Sequence, residues 1–221
     1  GSLHYVLIQS TPGDVSGSGV EFTTHTMTAD ETVTLYAEGY DRYDNYLGAS
    51  SVTWGSTGSL DAVSSSGVSY VFSPSTAPTS GTITATGGAG VTGDATGTIT
   101  VNVGSTDYAI IQEAPGDGEA AVNAVGMSID ESLTLYSAGY DAEGNYTGPL
   151  SVTWGRTGTL DAVSGTGTSY VFNPQSGGTS GTITATPGGG ITADATGTIT
   201  VSNGSLHYVL IQSTPGDVSG S

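Results

Sequence analysis

Two short acidic loops, one in each half of the chain, carry the residues best suited to hold a metal ion. Each loop places two carboxylates and one side-chain amide within five positions, namely Asp41, Asp44 and Asn45 in the first loop and Asp141, Glu143 and Asn145 in the second. Calcium takes six to eight oxygen ligands, and backbone carbonyls and water can complete such a shell. The loops therefore predict two calcium sites.

The same residue types also build tight turns. Aspartate and asparagine hydrogen-bond to their own backbone and so favour hairpin turns without any ion. Other acids lie in predicted turns near the ends of the modules, where ions bridging neighbouring modules are a further hypothesis. These acids are Asp14, Asp94, Asp117, Asp194, Asp30-Glu31 and Asp130-Glu131. Calcium is the single cofactor that the sequence suggests.

Catalytic chemistry is hard to build from this chain. The three histidines are His4, His25 and His207, and the first and last occupy one repeat position that holds Asp107 in the second module. A catalytic base is rarely so dispensable. The sequence has no nucleophile elbow, no H-E-x-x-H helix and no phosphate-binding loop. We therefore predict that the protein is not an enzyme and has no catalytic residues.

Charge and cysteine content exclude several other classes. Asp and Glu number 20 against Arg42 and Arg156, with no lysine, and the formal net charge is −18. Nucleic acid and anionic membranes are poor partners for such a chain. The absence of cysteine removes disulfides and thiol chemistry, so stability must come from packing and bound ions. No apolar run reaches the length of a membrane span, so no membrane insertion is expected in this segment.

The chain contains repeats at two levels. Residues 204–221 repeat residues 1–18 letter for letter, and residues 30–101 align with 130–201 without a gap. We expect the sequence to be a window onto a longer polymer of alternating modules. The predicted domains are 1–103 (domain A) and 104–203 (domain B), with 204–221 as the first strand of the next A-type repeat.

Period-two alternation of apolar residues, interrupted by Gly, Ser, Thr, Asn and Pro clusters, predicts strands and turns throughout. The expected strands are 3–10, 31–38, 50–55, 58–62, 68–72, 80–86 and 95–103, with copies at 106–113, 131–138, 150–155, 158–162, 168–172, 180–186 and 195–202. About seven short strands in about 100 residues favour an all-β fold of tandem immunoglobulin-like sandwiches. Trp54 and Trp154 are expected to be buried on the third strand.

Several motifs resemble one known family. Residues 140–146, YDAEGNY, followed by SVTW at 151–154, resemble the D-x-x-G-N and V-x-W signature of bacterial Ig-like repeats, including those of intimin- and invasin-type surface proteins. In the first module Asp44 stands where glycine is usual, and the neighbouring Asn45 tolerates a left-handed turn. The SYVFSP and SYVFNP segments and the GTITV strands are also similar. The resemblance implies an Ig-like fold and an extracellular, prokaryotic setting in which most modules are spacers and some bind receptors.

The first strand of each module is apolar at consecutive positions, so both of its faces are hydrophobic. The residues concerned are Leu3, Tyr5, Val6, Leu7 and Ile8, then Tyr108, Ile110 and Ile111, and finally Leu206, Tyr208, Val209, Leu210 and Ile211. One explanation is that the strand crosses between the two sheets of its own sandwich. The other is that it packs against, or completes the sheet of, a neighbouring module or subunit.

These observations favour a non-enzymatic structural repeat of a long extracellular fibre, filament or surface stalk, with copies of itself as partners in tandem and lateral assembly. Linkers of two or three residues, Gly104-Ser105 and Gly204-Ser205, leave little freedom between modules. The alternative is an adhesin whose tyrosine-rich loops bind a glycan or a host or cell-surface protein. The expected location is extracellular or on a prokaryotic cell surface.

Overall fold

The computed structural model describes residues 1–13, 19–209 and 211, which form strands joined by turns and bends. The strands of the first repeat are β1 (Tyr5–Gln9), β2 (His25–Thr28), β3 (Val33–Tyr40), β4 (Tyr46–Ala49), β5 (Val52–Ser56), β6 (Ser64–Gly67), β7 (Ser69–Phe72), β8 (Thr79–Gly81), β9 (Ile83–Thr86), β10 (Asp94–Ala95) and β11 (Ile99–Asn102). Those of the second repeat are β12 (Tyr108–Gln112), β13 (Val125–Ser128), β14 (Leu133–Tyr140), β15 (Tyr146–Pro149), β16 (Val152–Arg156), β17 (Thr166–Gly167), β18 (Ser169–Phe172), β19 (Thr179–Gly181), β20 (Ile183–Thr186), β21 (Asp194–Ala195) and β22 (Ile199–Ser202). Among these residues, no helix is long and apolar enough to cross a membrane.

Both repeats arrange their strands in the same three sheets. In the first, β3 pairs with β1, β4 and β7, a second sheet has the order β10-β9-β5-β6, and a third has the order β2-β11-β8. The second repeat shows β14 with β12, β15 and β18, then β17-β16-β20-β21 and β13-β22-β19. The fold is all-β, and it consists of tandem Ig-like β-sandwiches as the sequence predicted.

Alternating side chains build the core of each sandwich. In β5, Val52 and Trp54 are buried while Thr53 between them is exposed, because successive side chains of a strand point to opposite faces. The Trp54 ring lies 6.1 Å from that of Tyr70, and its Nε1 donates a hydrogen bond to the carbonyl of Gly67 at 3.2 Å. Burial of the indole is therefore achieved without losing a hydrogen bond. Trp154 repeats the arrangement with Tyr170 and Gly167.

The strands predicted at 58–62 and 158–162 are wrong, because both segments are turns that lead to a buried leucine. Gly58 has φ of 69°, and a Cβ placed on it would lie 2.3 Å from the carbonyl oxygen of Ser80. A side chain at this position would meet both a strained backbone and a steric clash. The inward-facing Leu60 alone produced the apparent alternation.

Three strands of the first repeat were not predicted, namely β2, β4 and β6. In β2 the single buried residue is Met27, so the period-two signal is too short to recognise. This strand pairs in parallel with β11, which lies about 70 residues further along the chain. β6 is a serine-rich sheet edge of sequence SSSG that pairs with β5. Such edges lack the apolar residues on which strand prediction depends.

Close backbone contacts divide the chain into two compact units. The first comprises residues 1–109 together with 138–148, and the second comprises 110–137 together with 149–221. Segment 138–148, from the second sequence repeat, therefore belongs with the first unit. The domain limits predicted from the sequence, at 103/104 and 203/204, stay predictions.

Candidate functional site

Asp41 accepts hydrogen bonds from other residues of its own loop, between β3 and β4. Its Oδ1 accepts hydrogen bonds from the backbone N–H of Tyr43 at 2.9 Å and of Asn45 at 3.0 Å. The Asn45 side-chain amide donates to both carboxylate oxygens, at 3.1 and 3.0 Å. The amide of Asn45 and these backbone donors hold the pKa of Asp41 at about 2. The carboxylate thus serves as the hydrogen-bonding centre of a hairpin turn.

Asp44 is turned toward the first strand instead. Its Oδ1 accepts a hydrogen bond from the Tyr5 hydroxyl at 2.9 Å. Burial and this bond raise the pKa of Tyr5 to about 12. Asp44 itself, and not Asn45, takes the left-handed backbone, with φ of 65°, where the second repeat has Gly144 with φ of 90°. The position of the turn was predicted correctly. The residue with the left-handed backbone was expected to be Asn45, and it is the preceding Asp44.

Asp141 has the same role in the second loop and is fully buried. Its Oδ1 accepts from the backbone N–H of Asn145 at 2.7 Å, and its Oδ2 accepts from the backbone N–H of Gly104 at 2.9 Å. The Asn145 amide donates to both oxygens, at 3.1 and 2.9 Å. Burial acts to raise the pKa of Asp141, but these hydrogen bonds outweigh it, so the pKa lies below its usual range.

Asn145 also fastens its loop to the first repeat, within the first compact unit. Its Nδ2 donates to the carbonyl of Ser75 at 3.0 Å, and its Oδ1 accepts from the backbone N–H of Ala77 at 2.9 Å. Asn145 is half-buried by these contacts, whereas Asn45 is exposed. Two asparagines at one repeat position thus have the same local role, and Asn145 has a second role in addition.

A cluster of three carboxylates lies beside this loop. Asp30, Asp141 and Glu143 each place an oxygen within 4.8 Å of the other two. Asp30 Oδ2 also accepts the backbone N–H of Ser105 at 2.6 Å. A hydrogen bond with Asp30, then burial and the Asp30 charge, raise the pKa of Glu143.

The cluster differs from the predicted calcium loops. Of the six predicted ligands it contains Asp141 and Glu143, and it adds Asp30, which sequence spacing placed in a separate turn. The oxygens of Asp141 already accept N–H donors, so a cation would use mainly Asp30 and Glu143 with carbonyls and water. Calcium binding stays a prediction. Asp30 lies more than 100 residues before Asp141 and Glu143 in the sequence. No local sequence pattern predicted that these residues would lie close together.

Both linkers use glycine because an aspartate lies against them. A Cβ on Gly104 would lie 2.1 Å from Oδ1 of Asp30, and a Cβ on Gly204 would lie 2.5 Å from Oδ1 of Asp130. Ser205 N–H donates to Asp130 Oδ2 at 2.7 Å, as Ser105 does to Asp30. Asp30 and Asp130 therefore make the same two contacts, one with the linker glycine and one with the serine N–H that follows it.

The first strand is covered on both edges within its own repeat. β1 pairs antiparallel with β3 over Tyr5–Gln9. On its other edge, Val6 N–H donates to the carbonyl of Thr92 at 3.0 Å, and Ile8 N–H donates to Asp94 Oδ2 at 2.7 Å. Ile111 N–H donates in the same way to Asp194 Oδ2 at 2.6 Å in β12. These contacts agree with a strand that links the two sheets of its own sandwich.

Side chains of the first strand are either buried or half-buried. Val6 and Ile8 are buried in the core, while the half-buried Tyr5 stacks on Tyr40 with ring centroids 5.3 Å apart. Leu3 is partly buried and packs against the same core. Half-buried positions are Leu7, Tyr108 and Ile110, whereas Ile111 is buried. Strand addition from a neighbouring subunit stays a prediction.

The second copy of this sequence is bare. Leu206, Tyr208, Val209 and Ile211 are between 67 and 101% exposed. Residues 203–209 and 211 form no strand, and Leu210 lies outside the described residues.

Similarity to known proteins was found among solved structures. No protein family matches the chain, and no curated protein does. A solved structure of the tandem Ig repeats of Dlar covers 91% of this chain and 98% of its own length, at 9% identity and a TM-score of 0.24. The N-terminal Ig1-2 module of the Drosophila receptor protein tyrosine phosphatase DLAR covers 91% and 100%, at 10% identity and a TM-score of 0.25. Such low scores carry no argument, and the fold assignment rests on the strands described above.

Proposed function

We propose that this chain is a non-enzymatic structural repeat of a long extracellular fibre, filament or surface stalk of a prokaryote, built from tandem Ig-like domains. The observation that carries the proposal is the fastening of the linker and of the second acidic loop onto the first repeat. The backbone N–H groups of Gly104 and Ser105 donate to Asp141 and Asp30, and Asn145 bonds to Ser75 and Ala77.

Such fastening suits a spacer. A two-residue linker whose backbone N–H groups are both hydrogen-bonded has little conformational freedom and offers little extended chain to a protease. The equivalent bond from Ser205 to Asp130 equips the second repeat to hold its successor in the same way. Stability without disulfides is consistent with a core of closely packed aromatic and branched side chains.

The charge and the family resemblance support the setting. A net charge of −18 with two arginines keeps crowded copies apart and soluble. The loop that resembles the D-x-x-G-N motif contains an internally bonded aspartate in both repeats, with Asp44 in place of the glycine in the first. We take the bacterial Ig-like repeats of surface proteins as the best guide to its location.

The tyrosines that suggested an adhesin are mostly structural. Tyr40 is buried between Tyr5 and Tyr46, with ring centroids 5.3 and 5.7 Å away. The Tyr46 hydroxyl donates to Glu38 Oε2 at 2.9 Å. Tyr43 is exposed, beneath the Arg42 guanidinium at 4.5 Å from its ring centroid. The adhesin hypothesis was based on Tyr36, Tyr40, Tyr43 and Tyr46, and of these four only Tyr43 is exposed. These loops therefore offer a ligand little aromatic surface.

Two experiments test the spacer role. On a glycan array we expect no selective binding by the chain, and strong binding to one glycan would favour the adhesin. In limited proteolysis with a nonspecific protease, Asp30→Ala should speed cleavage at residues 103–106, because Ser105 loses its acceptor. Asp107→Ala changes an exposed aspartate near the linker and is the matched control. Equal cleavage of the two variants would contradict the fastened linker.

A further inference from the structure

The linker between the first and second repeats is held by one aspartate from each repeat. Asp141 Oδ2 accepts the backbone N–H of Gly104 at 2.9 Å, and Asp30 Oδ2 accepts that of Ser105 at 2.6 Å. Asp30 belongs to the first repeat, and Asp141 belongs to the acidic loop of the second. These residues define the contacts of a junction that leads from a first repeat to a second repeat.

The second repeat contains one half of another such junction. Asp130 Oδ2 accepts the backbone N–H of Ser205 at 2.7 Å, and a Cβ on Gly204 would lie 2.5 Å from Asp130 Oδ1. Asp130 is the counterpart of Asp30 in the gap-free alignment of the repeats. It therefore makes with Gly204-Ser205 the contacts that Asp30 makes with the first linker.

The first repeat contains the other half. The nitrogen of Gly1 lies 3.7 Å from Asp41 Oδ2, and a Cβ on Gly1 would lie 2.2 Å from the same oxygen. Asp41 has the position in its loop that Asp141 has in the second loop. Gly1-Ser2 begins the same repeated sequence as Gly204-Ser205. Superposing the two Gly-Ser pairs therefore places Asp130 and Asp41 at one linker.

We propose that the first repeat of one copy docks on the second repeat of another copy at such a linker, with its loop 41–45 against Asp130 and residues 175–177. The partner is a second copy of this chain, joined in tandem, so that the docked surfaces form a second kind of junction. The inference rests on the proposed structural role and names the surfaces that join successive copies. A heterologous contact of this kind, repeated from copy to copy, extends an open linear fibre.

In the second junction Asn45 makes the contacts that Asn145 makes in the first. Asn145 donates to a backbone carbonyl and accepts a backbone N–H of the first repeat. In the alignment of the repeats, the corresponding groups are the carbonyl of Gln175 and the N–H of Gly177. Two bonds to Asp41 already orient the Asn45 amide as the second loop orients that of Asn145. Each junction is then held by an asparagine as well as by two aspartates.

The two junctions differ in charge. In the first, carboxylate oxygens of Glu143 and Asp30 lie within 4.8 Å of one another. In the second, Tyr43 has the position of Glu143. The Arg42 guanidinium lies 4.5 Å from the centroid of the Tyr43 ring and donates a hydrogen bond to its hydroxyl. Arg42 thus brings a positive charge to Asp130, so attraction replaces the repulsion between two carboxylates.

A chain that contains the second junction tests the docking. It consists of residues 1–203 followed directly by a full copy of residues 1–221, so that Gly1 of the downstream copy follows Asn203 of the upstream copy. Limited proteolysis with a nonspecific protease is followed by mass spectrometry. Cleavage at this central linker is recognised by its products, because only that cut separates one copy from the other.

Asn45→Ala in the downstream copy should speed central cleavage at least about fivefold, because two hydrogen bonds of the junction are lost. The same substitution in the upstream copy is the matched control and should leave the rate at that of wild type. Val52→Ala in the downstream copy weakens the buried core of the same repeat and should also leave it unchanged. Docking would be overturned if either control matched the downstream Asn45→Ala variant.

A double-mutant cycle tests the charge contact. Arg42→Gln in the downstream copy should speed central cleavage about two- to fivefold. It should have no effect when the upstream copy carries Asp130→Asn, which keeps an oxygen acceptor for the linker. Arg156→Gln changes an exposed arginine outside the loop and should match wild type. Additive effects of Arg42→Gln and Asp130→Asn would overturn the contact between them.

The spacer role is tested separately on the 221-residue chain, by the glycan array and by Asp30→Ala at the first linker. If Asp30→Ala speeds cleavage at residues 103–106 while Asn45→Ala leaves the central linker unchanged, docking at the second junction is wrong and the spacer role survives. Selective binding to one glycan would instead overturn the spacer role.

Discussion

Replacing Asn145 with alanine tests the fastening of the second loop to the first repeat. The substitution removes the acceptor of the Ala77 N–H and the donor to the Ser75 carbonyl, together with the two bonds to Asp141. Asn45→Ala is the matched control, because that side chain makes the same two bonds to its own aspartate but leaves residues 75–77 untouched.

The magnitude follows from the two additional bonds. A hydrogen bond contributes a net of about 0.5–1.5 kcal/mol to stability, so the difference between the variants is about 1–3 kcal/mol. If the Ala77 amide exchanges through local opening, this loss accelerates its exchange roughly 5- to 150-fold. Hydrogen exchange of the Ala77 amide, followed by NMR, measures the effect directly.

The control separates local from cross-repeat effects. Asn45→Ala should leave exchange at Ala77 close to that of wild type. Equal acceleration in both variants would mean that Ala77 reports general destabilisation. No acceleration in Asn145→Ala would refute the fastening itself.

Three further predictions concern buried and acidic groups. Glu38 is buried and accepts hydrogen bonds from the Gly13 N–H and the Tyr46 hydroxyl. Glu38→Ala should therefore lower the free energy of unfolding by about 1–3 kcal/mol, measured by urea titration. Glu38→Gln should lower it by less. The pKa of Asp41 is depressed from 3.8 to about 2, so its contribution to stability is complete above about pH 4 and is lost as the pH falls toward 2. The melting temperature of Asp41→Asn should therefore fall less over that interval than that of wild type. Equal slopes would contradict the depressed pKa of Asp41. For calcium, we predict that millimolar Ca²⁺ raises the melting temperature of wild type. The control Glu131→Gln should show the same rise, and Glu143→Gln should show none. A rise that persists in Glu143→Gln would place the ion elsewhere.

Strict alternation made several strands predictable from sequence. The segments around Val52-Trp54, Ile83-Ala85 and Ile99-Val101 place apolar residues at every second position, and all became strands with those residues buried. β2 was missed because its pairing with β11 depends on contacts distant in sequence. Leu60 misled in the opposite direction, since a single buried residue after a turn imitates a strand.

The acidic loops were located correctly but their chemistry was not readable from composition. Whether an aspartate binds a cation or accepts N–H groups depends on where the backbone donors point. The backbone donors are Tyr43 and Asn45 for Asp41, and Asn145 and Gly104 for Asp141. The resemblance identified the turn because its spacing is local. Asp30 and Asn145 contact residues about 70 or more positions away in the sequence. Such contacts are set by tertiary structure, and no local sequence pattern predicts them.

Electron microscopy of the native material tests the central claim most directly. A structural repeat predicts filaments whose density recurs regularly along their length with a period of two Ig-like domains, the unit of 203 residues that separates the two copies of the first strand. Dispersed cell-anchored stalks that end in a single distinctive tip domain would contradict the account and favour the adhesin.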